Sequence, residues 1–284
     1  MPAYTGEFIL RDVAIRPIGN TQPVDLAVFL QHSGINWIEE GFGRRVGNAA
    51  FPEEGFARNV PLLDQTFSAM ARDGFKVVRV MSLFGDLRGE VVRRDAQGRI
   101  IGLANPEAFR ADLQALLDAA QRHGLRLIPV FFSYQLGDAN QEARPGEIVG
   151  EWPNDMTDPL ARAALLQHLI RPVIEQLGVS GTVLAWDLFN EPENAKALPI
   201  GSVQAYAAEA TELIHTTTSR MARRALVTLG ANSFTDVLKY WRGIGLDLYQ
   251  AHSYSWGYAT DPHQEVIGRF GLDQPLLMGE LDPN

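Results

Sequence analysis

The chain has 284 residues, 46% of them hydrophobic, with a formal net charge of −9 and no cysteine. This length suits one α/β barrel, and the negative charge without a basic patch argues against a nucleic-acid partner. The lack of cysteine excludes disulfides, thiolate metal sites and a cysteine nucleophile.

Short apolar segments alternate with helical patterns along the chain, which predicts βαβ units and a parallel sheet. Seven strands are predicted from Ile35 onward, over residues 35–38, 76–83, 125–133, 182–191, 225–232, 247–254 and 275–281. Helices are predicted over 60–73, 106–123, 158–177, 202–224, 233–242 and 261–270, with a hairpin-like segment over 88–104 and long loops over 39–59 and 134–157. We therefore expect a single TIM (β/α)8 barrel domain over residues 1–284.

A closed barrel of this kind needs eight strands, and none follows Glu280. Residues 1–33 hold a strand-like alternation over 7–18 and a short helical pattern over 24–32. Two arrangements are possible. Either segment 7–32 fills the empty position between the first and last strands, or the eighth strand is missing and the barrel has a gap. We favour the first, because a gap would leave two strand edges unpaired.

The start of the chain and its apolar runs bear on location. No run reaches the roughly 18–20 apolar residues of a membrane span, and no signal peptide is visible. We therefore expect no membrane partner. The compartment stays open between a cytoplasmic protein and a secreted protein whose leader is absent from this sequence, and the oligomeric state is also open.

Two predicted strands end in glutamate. Val183–Pro192 reads Val-Leu-Ala-Trp-Asp-Leu-Phe-Asn-Glu-Pro, and Pro275–Glu280 reads Pro-Leu-Leu-Met-Gly-Glu. The carboxyl ends of barrel strands carry catalytic groups, so Glu191 and Glu280 are predicted to meet at one mouth. Cleavage of a glycosidic bond needs such a pair, one as an acid and one as a nucleophile or base. The sequence has no metal-ligand spacing, phosphate-binding loop or dinucleotide fingerprint, so no cofactor is expected.

These motifs resemble clan A retaining glycoside hydrolases with (β/α)8 barrels, most closely glycoside hydrolase family 5, the cellulase and β-mannanase family. The resemblance covers roughly residues 34–282 and implies Glu191 as acid/base and Glu280 as nucleophile. It also implies substrate-site roles for four further residues: Asn190, Arg79, His252 and Tyr254. By the same likeness Arg79 supports the nucleophile, Tyr254 contacts it and His252 borders the reacting sugar.

Aromatic side chains at strand ends are candidates for stacking against the apolar faces of sugar rings. Trp37 and Trp256 are predicted to bind substrate in this way, and Trp152 and Tyr134 are further candidates.

The sequence departs from the family pattern in two places. No tryptophan follows Glu280 on an eighth strand, and Phe132-Ser133-Tyr134 stands where a histidine is often found. The resulting hypothesis is a retaining glycoside hydrolase that cleaves β-glycosidic bonds of an oligo- or polysaccharide of the β-glucan or β-mannan type. The alternative is a catalytically impaired carbohydrate-binding protein on the same scaffold.

Overall fold

A computed structural model of the chain describes residues 7–8, 34–38, 44–84, 90–137, 152–221, 225–254 and 271–281. Within these ranges the strands are β1 Glu7–Phe8, β2 Gly34–Trp37, β3 Val77–Val80, β4 Val92–Arg94, β5 Ile100–Leu103, β6 Arg126–Ser133, β7 Ala185–Asn190, β8 Leu226–Ala231, β9 Tyr249–Ser253 and β10 Leu276–Leu281. Strands β4 and β5 form a separate antiparallel hairpin, as predicted, and the others form one closed barrel. The TIM-barrel fold class is thus confirmed.

The barrel closes through its amino-terminal strand. From β2 around to β10 neighbouring strands are parallel, whereas β1 is antiparallel to both β2 and β10. Glu7 pairs with Ile35 on one side and with Leu281 on the other. The hypothesis that segment 7–32 fills the empty position is confirmed for these two residues. The strand is shorter than the predicted 7–18, and residues 9–33, including the predicted helix 24–32, lie outside the described ranges.

Helices surround the barrel between successive strands. The α-helices are Val60–Arg72, Pro106–Arg122, Trp152–Thr157, Pro159–Leu165, Arg171–Leu177, Ile200–Thr218 and the short Phe234–Asp236. π-helical turns occupy Leu166–Ile170 and Val237–Trp241 and interrupt the predicted helices 158–177 and 233–242. No helix in the described ranges is both long enough and apolar enough to cross a membrane.

Three of the loop and helix predictions are corrected, refined or fall outside the described ranges. The sequence predicts a loop at Trp152-Pro153-Asn154, but these residues begin a helix, because proline suits the first helical turn. The described part of loop 39–59 contains the short 3-10 helices Pro52–Glu54 and Phe56–Arg58. The predicted helix 261–270 lies outside the described ranges.

Buried apolar residues form two clusters. The larger lies between the strands and the helices and includes Phe67, Leu113, Phe131, Trp186 and Ile214. The smaller consists of residues at the strand beginnings: Val77, Ile128, Leu184, Ala185, Leu226, Leu248 and Leu277. Because these positions come from different barrel strands or the residues just before them and are all buried, they form an apolar floor inside the barrel.

Candidate active site

A polar layer lies above the apolar floor. Side chains of a strand alternate between its two faces, so the residues two positions beyond the floor also point inward. On β3 this step leads from Val77 to Arg79. On β9 it leads from Leu248 to Gln250 and then to His252. All three polar residues are nearly or fully buried. The strand period therefore builds a polar site from sequence positions that lie far apart.

Glu191 lies directly after β7 at a point where the backbone turns sharply. Its φ of 51° and ψ of 52° place it in the left-handed region, which a non-glycine residue seldom adopts. Its N–H donates to Gly230 O on β8 at 2.6 Å, and its residue exposure is 8%. The neighbouring strand therefore holds Glu191 in a conformation that aims its carboxyl group into the barrel mouth.

Glu280 lies near the end of β10 after a β-bulge. The pairing with β9 shifts register between Met278 and Glu280, which leaves Gly279 as the extra residue. Gly279 O accepts from Asn36 Nδ2 at 2.8 Å, and a Cβ at 279 would lie 2.6 Å from the Gln250 side chain. Bulges redirect side chains near active sites. This one needs glycine and turns Glu280 toward Glu191.

The two glutamates meet around one histidine. One carboxylate oxygen of Glu191, one of Glu280 and a ring nitrogen of His252 all lie within 4.8 Å of one another. His252 Nδ1 shares a hydrogen bond with Glu191 Oε1 at 2.7 Å and lies 3.6 Å from Glu280 Oε1. Retaining glycosidases hold their carboxyl groups about 5–5.5 Å apart, whereas inverting enzymes need about 6.5–9.5 Å to admit a water. The separation fits the retaining arrangement.

Arg79 connects the elements of the site. Its Nη1 donates to Glu280 Oε1 at 2.8 Å, its Nη2 donates to Asn190 Oδ1 at 2.9 Å, and its Nε donates to Asp187 Oδ2 at 2.9 Å. A further bond from Nη1 reaches Asn36 Oδ1 at 3.1 Å. The guanidinium is fully buried, so these contacts fix the positions of both the nucleophile candidate and the Asn190 amide.

The electrostatics keep Glu280 ionised. Burial would raise its pKa, but the charges of His252 and Arg79 and the hydrogen bonds from Tyr254 and Arg79 outweigh burial and lower it. Tyr254 donates its hydroxyl to Glu280 Oε2. In turn, burial and the Glu280 charge raise the pKa of Tyr254, so its phenol stays a neutral donor. An ionised carboxylate held in this way can attack an anomeric carbon.

The aromatic residues predicted to stack on sugar lie in different parts of the structure. Burial and the charges of Glu191 and Glu280 raise the pKa of Tyr134, which indicates that its phenol lies near the two glutamates. Trp37 is a correction: its ring packs on Phe56 and, edge to face, on Phe67 at 5.2 Å between ring centres. Its neighbour Asn36 takes the inward position, so Trp37 belongs to the layer between barrel and helices.

Two other tryptophans are candidates for the sugar site by sequence. Trp152 is also a correction, since it is 1% exposed and packs on Phe132 and under Arg94. Trp256 lies outside the described ranges.

Sequence reasoning missed several polar residues of the site. Asp187 is fully buried and accepts from Arg79, from Gln250 Nε2 at 2.8 Å and from Gly230 N at 3.2 Å. Ser133 Oγ accepts from Asn190 Nδ2 at 3.2 Å. The signal that could have found Gln250 and Asn36 is the strand alternation, since each occupies an inward position of an otherwise apolar strand.

A metal or cofactor has little room in this arrangement. Glu191, His252 and Glu280 offer three ligand atoms, but Glu280 is engaged by Arg79 and Tyr254, and His252 shares its Nδ1 hydrogen bond with Glu191. The pairwise hydrogen bonds suit acid–base chemistry. That no cofactor is used stays a prediction.

Comparisons with known proteins add sequence relatives. A probable mannan endo-1,4-beta-mannosidase A from Aspergillus oryzae is 28% identical over 174 residues, which cover 58% of this chain and 43% of that protein. The protein of the same name from Aspergillus flavus is 26% identical over 170 residues, with the same coverage. The chain therefore spans less than half the length of these relatives. No protein-family model matches the sequence.

Solved structures share the fold. The β-mannanase of the blue mussel Mytilus edulis superposes with a TM-score of 0.65 at 20% identity and covers 85% of this chain and 76% of its own. The β-1,4-mannanase of the sea hare Aplysia kurodai gives 0.62 at 17% identity, over 82% of this chain and 77% of its own. Together with the strand topology they confirm the TIM-barrel fold. The names of the sequence relatives agree with the resemblance to glycoside hydrolases that the motifs carry.

Proposed function

We propose that this protein is a retaining β-glycosidase that hydrolyses β-mannan. The observation that carries the proposal is the pair of carboxylates. One oxygen of Glu191 lies within 4.8 Å of one oxygen of Glu280, Arg79 pairs with Glu280, and His252 lies between the two glutamates. Mannan is favoured over glucan because the fungal relatives are named as mannan endo-1,4-beta-mannosidases.

In the first step Glu280 acts as the nucleophile. Its carboxylate oxygen bonds to the anomeric carbon while the bond to the departing sugar oxygen breaks, and protonated Glu191 gives its proton to that oxygen. The product is a covalent glycosyl ester of Glu280. Arg79 and Tyr254 hold the attacking carboxylate in place through hydrogen bonds to both of its oxygens.

In the second step the roles of the carboxyl groups change. Ionised Glu191 takes a proton from a water molecule, whose oxygen attacks the anomeric carbon and releases Glu280. Two displacements restore the original anomeric configuration. Asn190 is suited to hold the reacting sugar, since its amide carries two N–H donors and can serve Ser133 and a sugar hydroxyl together.

The test is hydrolysis of linear β-mannan, β-glucan and xylan, measured as the release of reducing ends. We expect mannan to be cleaved fastest, and we expect Glu191→Gln and Glu280→Gln each to lose about 10²-fold to 10⁴-fold in kcat/KM. Azide should restore turnover of an activated aryl mannoside by Glu280→Ala, because the small anion fits the space of the missing carboxylate.

One outcome would favour the sugar-binding alternative. If the purified protein binds mannan but releases no reducing ends from any of the three polysaccharides or from aryl glycosides, the proposal of catalysis is wrong. Cleavage of glucan or xylan but not of mannan would retain the mechanism and overturn the substrate.

A further inference from the structure

A short turn follows the proposed acid/base residue and returns to it. The 3-10 helix Pro192–Asn194 begins directly after Glu191, and Asn194 N donates to Glu191 O at 3.0 Å. Together with the bond from Glu191 N to Gly230 O, this contact holds both backbone groups of Glu191. The turn is therefore tied to the backbone of the residue that must deliver the proton.

The side chain of Asn194 reaches the carboxyl group itself. Its Nδ2 donates to Glu191 Oε2 at 3.2 Å and to Asn232 Oδ1 at 3.1 Å. Because His252 contacts the other oxygen, Oε1, the Glu191 carboxyl group is held at two points on two sides. Two such contacts fix the rotation of the carboxyl plane, which a single hydrogen bond leaves free.

The neighbouring residue anchors the far end of this contact. Glu193 Oε2 accepts from Asn232 N at 3.2 Å, and Glu193 Oε1 accepts from the indole N–H of Trp241, which is 1% exposed. Burial raises the pKa of Glu193 to about 7 against these two hydrogen bonds, so the fold keeps a costly group here. The hydrogen bond from its backbone N–H to Glu193 holds Asn232 in place, and Asn232 Oδ1 in turn accepts from Asn194.

We propose that Asn194 is a positioning residue for Glu191 and that Glu193 holds it in place through Asn232. The inference rests on the proposed function, since it assigns Asn194 to the proton-transfer geometry of Glu191. A misplaced general acid costs rate in proportion to how much proton transfer the leaving group needs. The proposal therefore predicts a loss that depends on the leaving group.

The experiment compares phenyl and dinitrophenyl β-mannobiosides as substrates. Departure of phenol needs the proton, whereas departure of dinitrophenol does not. For Asn194→Ala we expect kcat/KM to fall about tenfold to a hundredfold on the phenyl substrate and less than about threefold on the dinitrophenyl substrate. Glu193→Gln should shift the same ratio in the same direction by a smaller factor. Lys196→Ala is the matched control, because Lys196 is exposed two positions further along and should leave the ratio unchanged.

Each outcome supports or overturns the proposal. If Asn194→Ala leaves both rates unchanged, or lowers both equally as a general structural defect would, Asn194 does not position Glu191. Thermal unfolding of each variant identifies a folding defect; Asn194 is exposed, so its variants should keep the fold. If the wild-type protein turns over neither substrate nor β-mannan, the proposed function is wrong and the inference fails with it. Activity of the wild type with an unchanged ratio in Asn194→Ala overturns the inference alone.

Discussion

Arg79→Met removes a fully buried guanidinium that pairs with two carboxylates. Arg79 Nη2 lies 2.8 Å from Asp187 Oδ2, and Arg79 Nη1 lies 2.8 Å from Glu280 Oε1. The Asp187 side chain is 0% exposed and that of Glu280 is 16% exposed, so water cannot replace the lost charge at Asp187. The substitution therefore leaves a buried charge without its partner and also removes a group that keeps Glu280 ionised.

The expected magnitude follows from these contacts. Removal of one partner from a buried ion pair costs about 3–5 kcal/mol. Asp187 keeps hydrogen bonds from Gln250 and Gly230, so we expect a value near the lower end. The entropy of unfolding of a 284-residue chain is about 0.6 kcal/mol/K. A loss of about 3–5 kcal/mol then corresponds to a fall in Tm of about 5–8 °C, and the lower end of that loss to about 5 °C. Loss of the charge beside Glu280 should lower kcat/KM on β-mannan by about 10²-fold.

Calorimetry and initial rates on β-mannan measure the two effects. Arg162→Met is the matched control, because Arg162 pairs with Glu209, whose side chain is 44% exposed and can be rehydrated. We expect it to cost about 1–3 kcal/mol, because Met156 O also loses its buried donor, and to leave kcat/KM unchanged. The double variant Arg79→Met/Asp187→Asn should lose less stability than the sum of its single variants, since the stranded charge is gone. A fall in Tm below about 2 °C for Arg79→Met would refute the argument from burial.

Three further predictions concern the same barrel mouth. Tyr254→Phe removes a hydrogen bond that lowers the pKa of Glu280, so the acid limb of the pH profile of kcat/KM should move to higher pH; an unmoved limb would contradict the contact. The pKa of Glu193 is raised to about 7 in the folded protein, against about 4.5 in the unfolded chain. Between these pH values the folded state binds more protons than the unfolded state. Stability should therefore fall as pH rises from about 4.5 to about 7, by at most about 3 kcal/mol. Glu193→Gln should remove that slope in urea unfolding followed from pH 4.5 to 7, and a slope that persists would assign it to other groups. A methyl group at Gly230 would lie 2.8 Å from Arg79 Nη2. Gly230→Ala should therefore lower stability by about 1–3 kcal/mol and kcat/KM by more than tenfold. Wild-type rates for this variant would contradict the close packing of Arg79 against Gly230.

The pairing of Glu191 with Glu280 was predictable because buried carboxylates at the ends of apolar strands are rare unless they take part in chemistry. Parallel strands all present their carboxyl ends at one mouth, so Glu191 and Glu280 converge there once the strand order is known. The closure of the barrel by the amino-terminal segment was also predictable, because an open edge is unfavourable. That this strand is antiparallel at Glu7–Phe8 depends on the path of the chain, which local patterns do not record.

One residue of the site was missed because the strand register is irregular. Asp187 and Asn190 are three positions apart, so strict alternation would place them on opposite faces of β7. Both contact Arg79, because the pairing with β8 is irregular between them. The sequence alone could not assign Asp187 for this reason. Trp37 is a different case, because β2 pairs regularly with β3: a shift of one residue decides whether Trp37 or Asn36 faces inward, and Asn36 bonds to Arg79 and Gly279.

The most direct test of the account follows the anomeric configuration of the first product. Proton NMR during hydrolysis of a β-manno-oligosaccharide records the configuration at the cleaved end before mutarotation. Carboxyl groups as close as those of Glu191 and Glu280 predict the β-anomer first, through a covalent ester on Glu280. Appearance of the α-anomer first would mean a single displacement by water and would contradict the roles given to both residues.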